Sequence, residues 1–331
     1  MAKNNTLLFL SSENCRLKIK EIANLNRSSS QRIKYNLRNL ERKSLINLPY
    51  SIFDYSYFGL ILFKVYFKWT YVSEKDKNKI IKELKENGYV VAVYELEGEF
   101  DLVVEIEAPN PSRFNKTLKQ IVTNLPSLSN YRILLNIVTH IYPRKYLAKE
   151  EEIISQVPAE IVIGGDREIE EFNEKAMILL QNLRLNPKTR LSSLAKAADL
   201  NIRTVSKLFK ELKQRKIVRG FKYNLNTEEL KINKSRLFLK LHNLTPEREE
   251  EMQQYFLKTK EIIQMHKTVG DWDLELDIES FEKVKIRRLT VEIREQFKDV
   301  IMNFNIIEFY KQYLRYYLPE FLFKAKEEKK E

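Results

Sequence analysis

Residues 22–46 read IANLNRSSSQRIKYNLRNLERKSLI, and residues 194–218 read LAKAADLNIRTVSKLFKELKQRKIV. The two stretches are equal in length and lie 172 positions apart, with apolar residues coinciding at Ile22/Leu194, Ala23/Ala195, Ile33/Val205, Leu37/Phe209, Leu40/Leu212, Leu45/Ile217 and Ile46/Val218. Ile33, Leu37 and Leu40 recur at spacings of four and three, as do Val205, Phe209 and Leu212, which places each trio on one face of a helix. Ser29 and Asn201 precede these helices and can cap them through a side-chain oxygen. The pattern predicts helices over 18–25 and 191–198, a polar turn, and third helices over 30–43 and 202–216. Further helices over 6–11 and 174–185 complete a small three-helix core in each copy. The outward face of the third helix is polar and basic. It carries Ser30, Gln31, Arg32, Lys34, Tyr35 and Arg38 in the first copy and Arg203, Thr204, Ser206, Lys207 and Lys210 in the second. This is a helix-turn-helix arrangement, whose last helix can reach bases and phosphates from a major groove. Short strand pairs over 45–52 and 217–225, the second with Arg219 and Lys222, are expected to form wings that touch phosphate.

Charge follows the same modules. The chain carries 58 Lys plus Arg against 46 Asp plus Glu, a formal charge of +12. Residues 1–50 hold +7 and residues 174–224 hold +10, so the rest of the chain sums to −5. The net charge favours a polyanionic partner, nucleic acid or an acidic membrane surface, and its concentration in two helix-turn-helix segments points to double-stranded DNA. No apolar run approaches the roughly 18 residues of a membrane span, and the N-terminus lacks a signal-peptide pattern. A cytoplasmic protein without membrane contact is therefore expected. A lone Cys15 excludes an internal disulfide, and His140, His242 and His266 lack metal-ligand spacing. With 7 glycines in 331 residues there is no Gly-rich phosphate loop, so neither a nucleotide nor any other cofactor is expected.

Behind each basic module the periodicity changes. A strand over 60–67 leads to a helix over 73–87, strands over 90–97 and 100–107, a helix over 112–125 and a strand over 132–141. The second copy repeats this with strands over 236–242, 262–269, 272–278 and 303–313 and helices over 246–258 and 281–297. This βαββαβ order predicts a ferredoxin-like antiparallel sheet with two helices on one face, leaving the other face to be covered by a second such sheet. The fold class expected is α+β, with winged helix-turn-helix domains at 1–55 and 174–228, βαββαβ domains at 58–147 and 232–318, a linker at 148–173 and a charged tail at 319–331.

With the G-x-x-D loops between the middle strands (Gly98, Glu99, Phe100, Asp101; Gly270, Asp271, Trp272, Asp273), this organisation resembles the Lrp/AsnC, or feast/famine, transcription regulators, duplicated in tandem. The resemblance implies DNA binding by the helix-turn-helix, self-association through the sheets, and an amino-acid effector near Gly98, Phe100, Asp101, Gly270, Trp272 and Asp273. It implies a sequence-specific regulator rather than an enzyme; family members usually carry one such unit, and from the duplication the two sheets are expected to pair inside one chain and imitate a dimer. Ser44 and Lys216 stand where the family usually has a glycine after the recognition helix. The sirohaem decarboxylases share the same two domains, and for a fused pair of them His140 and His266 are the candidate proton donors. A third alternative is an amino-acid sensor without DNA binding. Trp69, Trp272, Tyr310, Tyr313, Tyr316 and Tyr317 are read as packing residues.

Overall fold

The computed structural model describes residues 2–70 and 72–324. The first copy runs α1 (Ala2–Glu13), α2 (Ile19–Leu25), α3 (Ser30–Arg42), β1 (Ile46–Phe53), β2 (Ile61–Lys68), α4 (Glu74–Glu86), β3 (Val90–Glu97), β4 (Leu102–Ala108), α5 (Pro111–Asn124) and β5 (Asn130–Ile141). After α6 (Glu151–Ile154) and β6 (Ile161–Gly164), the second copy runs α7 (Glu174–Leu185), α8 (Leu191–Ala197), α9 (Ile202–Gln214), β7 (Val218–Leu225), β8 (Asn233–Leu241), α10 (Pro246–Lys258), β9 (Ile262–Val269), β10 (Leu274–Ser280), α11 (Lys283–Gln296), β11 (Ile301–Arg315) and α12 (Phe321–Lys324). The offset of 172 read from 22–46 carries α4 onto α10, β3 onto β9 and β4 onto β10 end for end.

Local chemistry sets the helix ends. The Ser29 hydroxyl accepts from the Arg32 amide at 3.2 Å and the Asn201 side chain from the Thr204 amide at 2.8 Å, closing the N-termini of α3 and α9. At the C-terminus of α3 the amides of Ser44 and Leu45 donate to the carbonyls of Glu41 and Leu40, and at α9 those of Lys216 and Ile217 donate to Lys213 and Leu212. That double closure needs a left-handed residue. Ser44 at φ 52° and Lys216 at φ 61° adopt it without being glycine.

Each βαββαβ unit forms a four-stranded antiparallel sheet, ordered β5-β2-β4-β3 and β11-β8-β10-β9. Val65, Phe67, Val104 and Ile106 bury one face of the first sheet against Ile80, Leu84, Phe114 and Ile121 of α4 and α5. Leu237, Leu239, Leu276 and Ile278 do the same in the second against Met252, Phe256, Ile286 and Ile293 of α10 and α11. The long last strands join the sheets edge to edge. β11 pairs with β8 through Ile301 to Glu308 and with β3 from Glu308 onward, while β5 pairs with β2 up to Asn136 and with β9 from Leu135 onward. The eight strands therefore close into a ring with no free edge, as the expectation of intramolecular pairing requires. Tyr66, Tyr94, Val103, Phe238 and Ile307 fill part of its interior.

Three expectations are corrected. The stretches 45–52 and 217–225 are single strands that pair with each other as β1 and β7, so neither copy has a wing hairpin. The expected linker is structured: β6 pairs with β5, and Ile153, Val157, Ile161 and Ile163 join the core beneath the helical modules. Of the expected tail, residues 319–324 pack on the protein, with Phe321 stacked on Tyr89 and Phe323 buried, while 325–331 lie outside the described residues. No helix among the described residues is long and apolar enough to cross a membrane.

Candidate active site

The interior of the closed ring is charged. β10 reads LELDIES and is buried along its whole length, and strand alternation sends Glu275, Asp277 and Glu279 inward together. Charges without water must be paired and hydrogen-bonded. Lys64 and Tyr66 of β2 cross from the other copy to Glu275 at 2.5 and 2.6 Å. Arg236 holds Asp277 with two hydrogen bonds of 2.6 and 3.1 Å, and Lys234 adds an ion pair at 3.4 Å. Glu279 accepts from Arg144 at 2.8 Å and from Tyr146 at 2.8 Å. Burial opposes ionisation of Asp277, but Arg236 and Lys234 outweigh it and hold the carboxyl far below the usual carboxylate range.

His266 enters this network from β9. Its Nδ1 lies 2.9 Å from the Thr139 hydroxyl and its Nε2 lies 3.4 Å from an Arg236 Nη. A guanidinium only donates, so Nε2 is the unprotonated nitrogen and Nδ1–H donates to Thr139. Burial, then Lys64 and Arg236, keep the ring neutral, well below the ordinary histidine range. His266 thus accepts on the side facing Arg236 and has no proton to give there. His140 sits apart, bound through Nδ1 to Glu160 at 2.5 Å.

Three spaces meet beside this network. A cavity of about 30 Å³, room for roughly two water-sized groups, is lined by Tyr94, Glu105, Glu107, Thr139, Arg236, His266 and Arg315. A second, of about 40 Å³, is lined by Tyr94, Arg144, Lys234, Glu279, Phe309 and Arg315. A groove of about 970 Å³ runs along β11 beneath the helical modules, lined by Lys85, Arg184, Lys188, Tyr223, Tyr313, Tyr316 and Arg315. Arg315 borders all three. Its Nη2 donates to the Tyr317 hydroxyl at 2.5 Å and its guanidinium lies 4.7 Å from the centre of the Tyr50 ring. Among the described residues no carboxylate forms an ion pair with it, unlike Arg144 and Arg236.

The residues expected to read DNA fall into two groups. Ser30, Gln31, Arg32, Lys34, Tyr35 and Arg38 of α3, and Arg203, Thr204, Lys207 and Lys210 of α9, are exposed, with Ser206 half-buried. Lys34 and Arg38 border a groove of about 780 Å³ together with Arg16, Lys18, Lys188 and Arg190. Arg219 and Lys222 are corrected as wing residues, because β1 and β7 pair with each other. Lys222 is 3% exposed and ion-paired to Glu13 at 2.5 Å, and Arg219 is half-buried.

The G-x-x-D loops are built into the junction between the copies. Asp101 accepts from the Lys68 ammonium and the Trp69 amide, and Asp273 from the Lys240 ammonium and the Leu241 amide, so each carboxylate ties its loop to the end of β2 or β8. Gly98 at φ 123° lies against Ile307, and a Cβ on Gly270 at φ 145° would come within 2.7 Å of Leu134. Phe100 is buried and Trp272 packs on Phe238. Cys15 is also buried, which pushes its thiol up to about 12.

Sequence reasoning missed Lys64, Arg236, Glu275, Asp277, Glu107 and Arg315. For Glu107, Glu275 and Asp277 the signal is charge at alternate positions inside apolar strands, LVVEIEA in β4 and LELDIES in β10. Alternation alone reads as a solvated face, and only closure of the ring turns that face inward.

No protein-family profile matches the sequence, and no curated protein matches it. Among solved structures, the crystal structure of the siroheme decarboxylase NirDL matches 99% of this chain and 99% of its own at 12% identity, with a TM-score of 0.59. The same enzyme in co-complex with an iron-uroporphyrin III analogue matches over 100% of both chains at 13% identity, TM-score 0.56. An AsnC family transcriptional regulator from Agrobacterium tumefaciens matches 40% of this chain and 86% of its own at 14% identity, TM-score 0.36. The chain thus has a mixed α+β fold with one large antiparallel sheet, and shares that fold from end to end with NirDL. The expectation of a chain that is not an enzyme is corrected by these matches, since the structures alike over the full length are those of an enzyme.

Proposed function

We propose that the chain decarboxylates carboxylate side chains of an anionic tetrapyrrole, sirohaem or a close relative. The observation that carries this reading is Arg315, a half-buried cation with no carboxylate partner among the described residues, placed where a groove of about 970 Å³ meets two small polar cavities. Ligand sites have volumes of roughly 300 to 1,000 Å³, which the groove matches. Lys85, Arg184 and Lys188 supply positive charge along it, and Tyr223, Tyr313 and Tyr316 supply flat apolar surface. A carboxylate arm reaching past Arg315 would enter the cavity bordered by Arg236, His266 and Glu107. Exclusion of water there strengthens every charge interaction the arm makes.

The test mixes the purified chain with sirohaem under anaerobic conditions. The Soret band should shift on binding, and mass spectrometry should follow product that has lost CO2. A band that does not move, with no CO2 released, overturns the reading.

A second reading rests on the exposed basic faces of α3 and α9: these helices bind duplex DNA, one on each half-site of an asymmetric target. If they neutralise roughly six to ten phosphates, affinity should drop on the order of a thousandfold between about 50 and 200 mM salt. A flat salt response in a duplex-binding titration removes this reading without touching the first.

A further inference from the structure

Glu107 and Glu279 occupy the same position in the two copies, next to last in β4 and β10. Their surroundings differ. Glu279 is held by Arg144 and Tyr146. The offset of 172 carries Arg144 onto Tyr316, so the corresponding cation is missing on the Glu107 side. Glu107 is 1% exposed, lines the cavity shared with Arg236 and His266, and its Oε2 has no hydrogen-bond partner among the described residues. An unpaired buried carboxyl destabilises a fold, and a duplicated chain that has neutralised one copy and left the other bare invites a chemical reason.

Decarboxylation provides one. When the carbon–carbon bond to the departing CO2 breaks, its electron pair stays on the side-chain carbon and must be met by a proton. His266 directs its unprotonated nitrogen at Arg236, and Arg315 keeps its protons at any working pH. We propose that Glu107, as a neutral carboxyl, is the proton donor of the cavity: its O–H proton passes to the carbon that loses CO2, and the resulting carboxylate is reprotonated from solvent. Each turnover then consumes one proton and releases one CO2. Burial, then the neighbouring Glu105, push the Glu107 carboxyl well above the ordinary range, which keeps the proton on it. The groups facing it are Glu105 on its own strand, Arg184, whose charge opposes the rise, and Asp54 and the Tyr55 hydroxyl before β2.

The catalytic part rests on the tetrapyrrole reading, so the test has two readouts. Infrared spectra of the full chain at neutral pH, wild type minus Glu107→Gln, should show a protonated carboxyl band that shifts in D2O. Its absence overturns the proposal whatever the substrate. With sirohaem, Glu107→Gln should bind with an unchanged Soret titration and turn over about a hundredfold or more slowly, the scale of a lost general acid. Glu107→Asp should recover part of the rate. Undiminished turnover by Glu107→Gln overturns the proposal, whereas a wild type inert toward sirohaem overturns the substrate reading and leaves the infrared band to decide whether Glu107 is a poised acid.

Discussion

Arg236 is 1% exposed and contacts Asp277, Tyr66, Glu275 and His266. Few side chains other than a planar guanidinium could meet so many partners at once. Arg315 is chemically its counterpart but has no carboxylate partner among the described residues, and the proposed tetrapyrrole site rests on this difference. Replacing Arg315 with Leu should weaken sirohaem binding by about tenfold to a hundredfold, the worth of one charge-assisted hydrogen bond of roughly 1.5–3 kcal/mol. A Soret titration measures it, and unchanged affinity would remove Arg315 from the site. His266 sets a pH dependence. Its folded pKa lies below the unfolded value of about 6.5, so at lower pH the unfolded chain takes up a proton that the folded chain refuses. Stability should therefore fall as pH drops below about 6.5, and His266→Gln should flatten that part of the acid slope in urea unfolding at a series of pH values.

Among the elements, the paired helix-turn-helix modules keep their shape through caps. Ser44 and Lys216 hold left-handed backbone that costs a residue with a Cβ about 1 kcal/mol. Lys216→Gly and Ser44→Gly should each stabilise the chain by up to about that amount, seen as a raised urea midpoint with an unchanged slope. The helices and the strands β3 and β9 were legible because their apolar spacing is local. The wings were not: 45–52 and 217–225 each read as a short strand pair, and nothing local says that each is one strand whose partner lies in the other copy. The G-x-x-D loops misled for a similar reason. Asp101 and Asp273 are conspicuous in the sequence, yet each ties its loop to the end of β2 or β8 in its own copy.

The whole molecule is two copies made interdependent by β3–β11 and β5–β9. Cutting the chain between residues 165 and 168 and expressing the halves apart should expose the interior faces around Tyr66 and Phe238. Each half alone should aggregate or pair with itself, and co-expression should restore a one-to-one complex on size exclusion. Two halves that remain soluble monomers would show that closure of the ring is not needed for folding.

The repeat, the α+β class, the order and extent of most elements and the placing of basic charge on α3 and α9 follow from the sequence alone, because propensity, capping and apolar period act within a few residues of one another. Tertiary structure alone decided which strands close the ring, and therefore that Lys64, Arg236, Glu275 and Asp277 face one another in the interior while Glu107 Oε2 is left without a hydrogen-bond partner among the described residues. Strand alternation assigns a side chain to a face. Whether that face meets solvent or a second sheet depends on contacts between residues up to about two hundred positions apart, which no local pattern records.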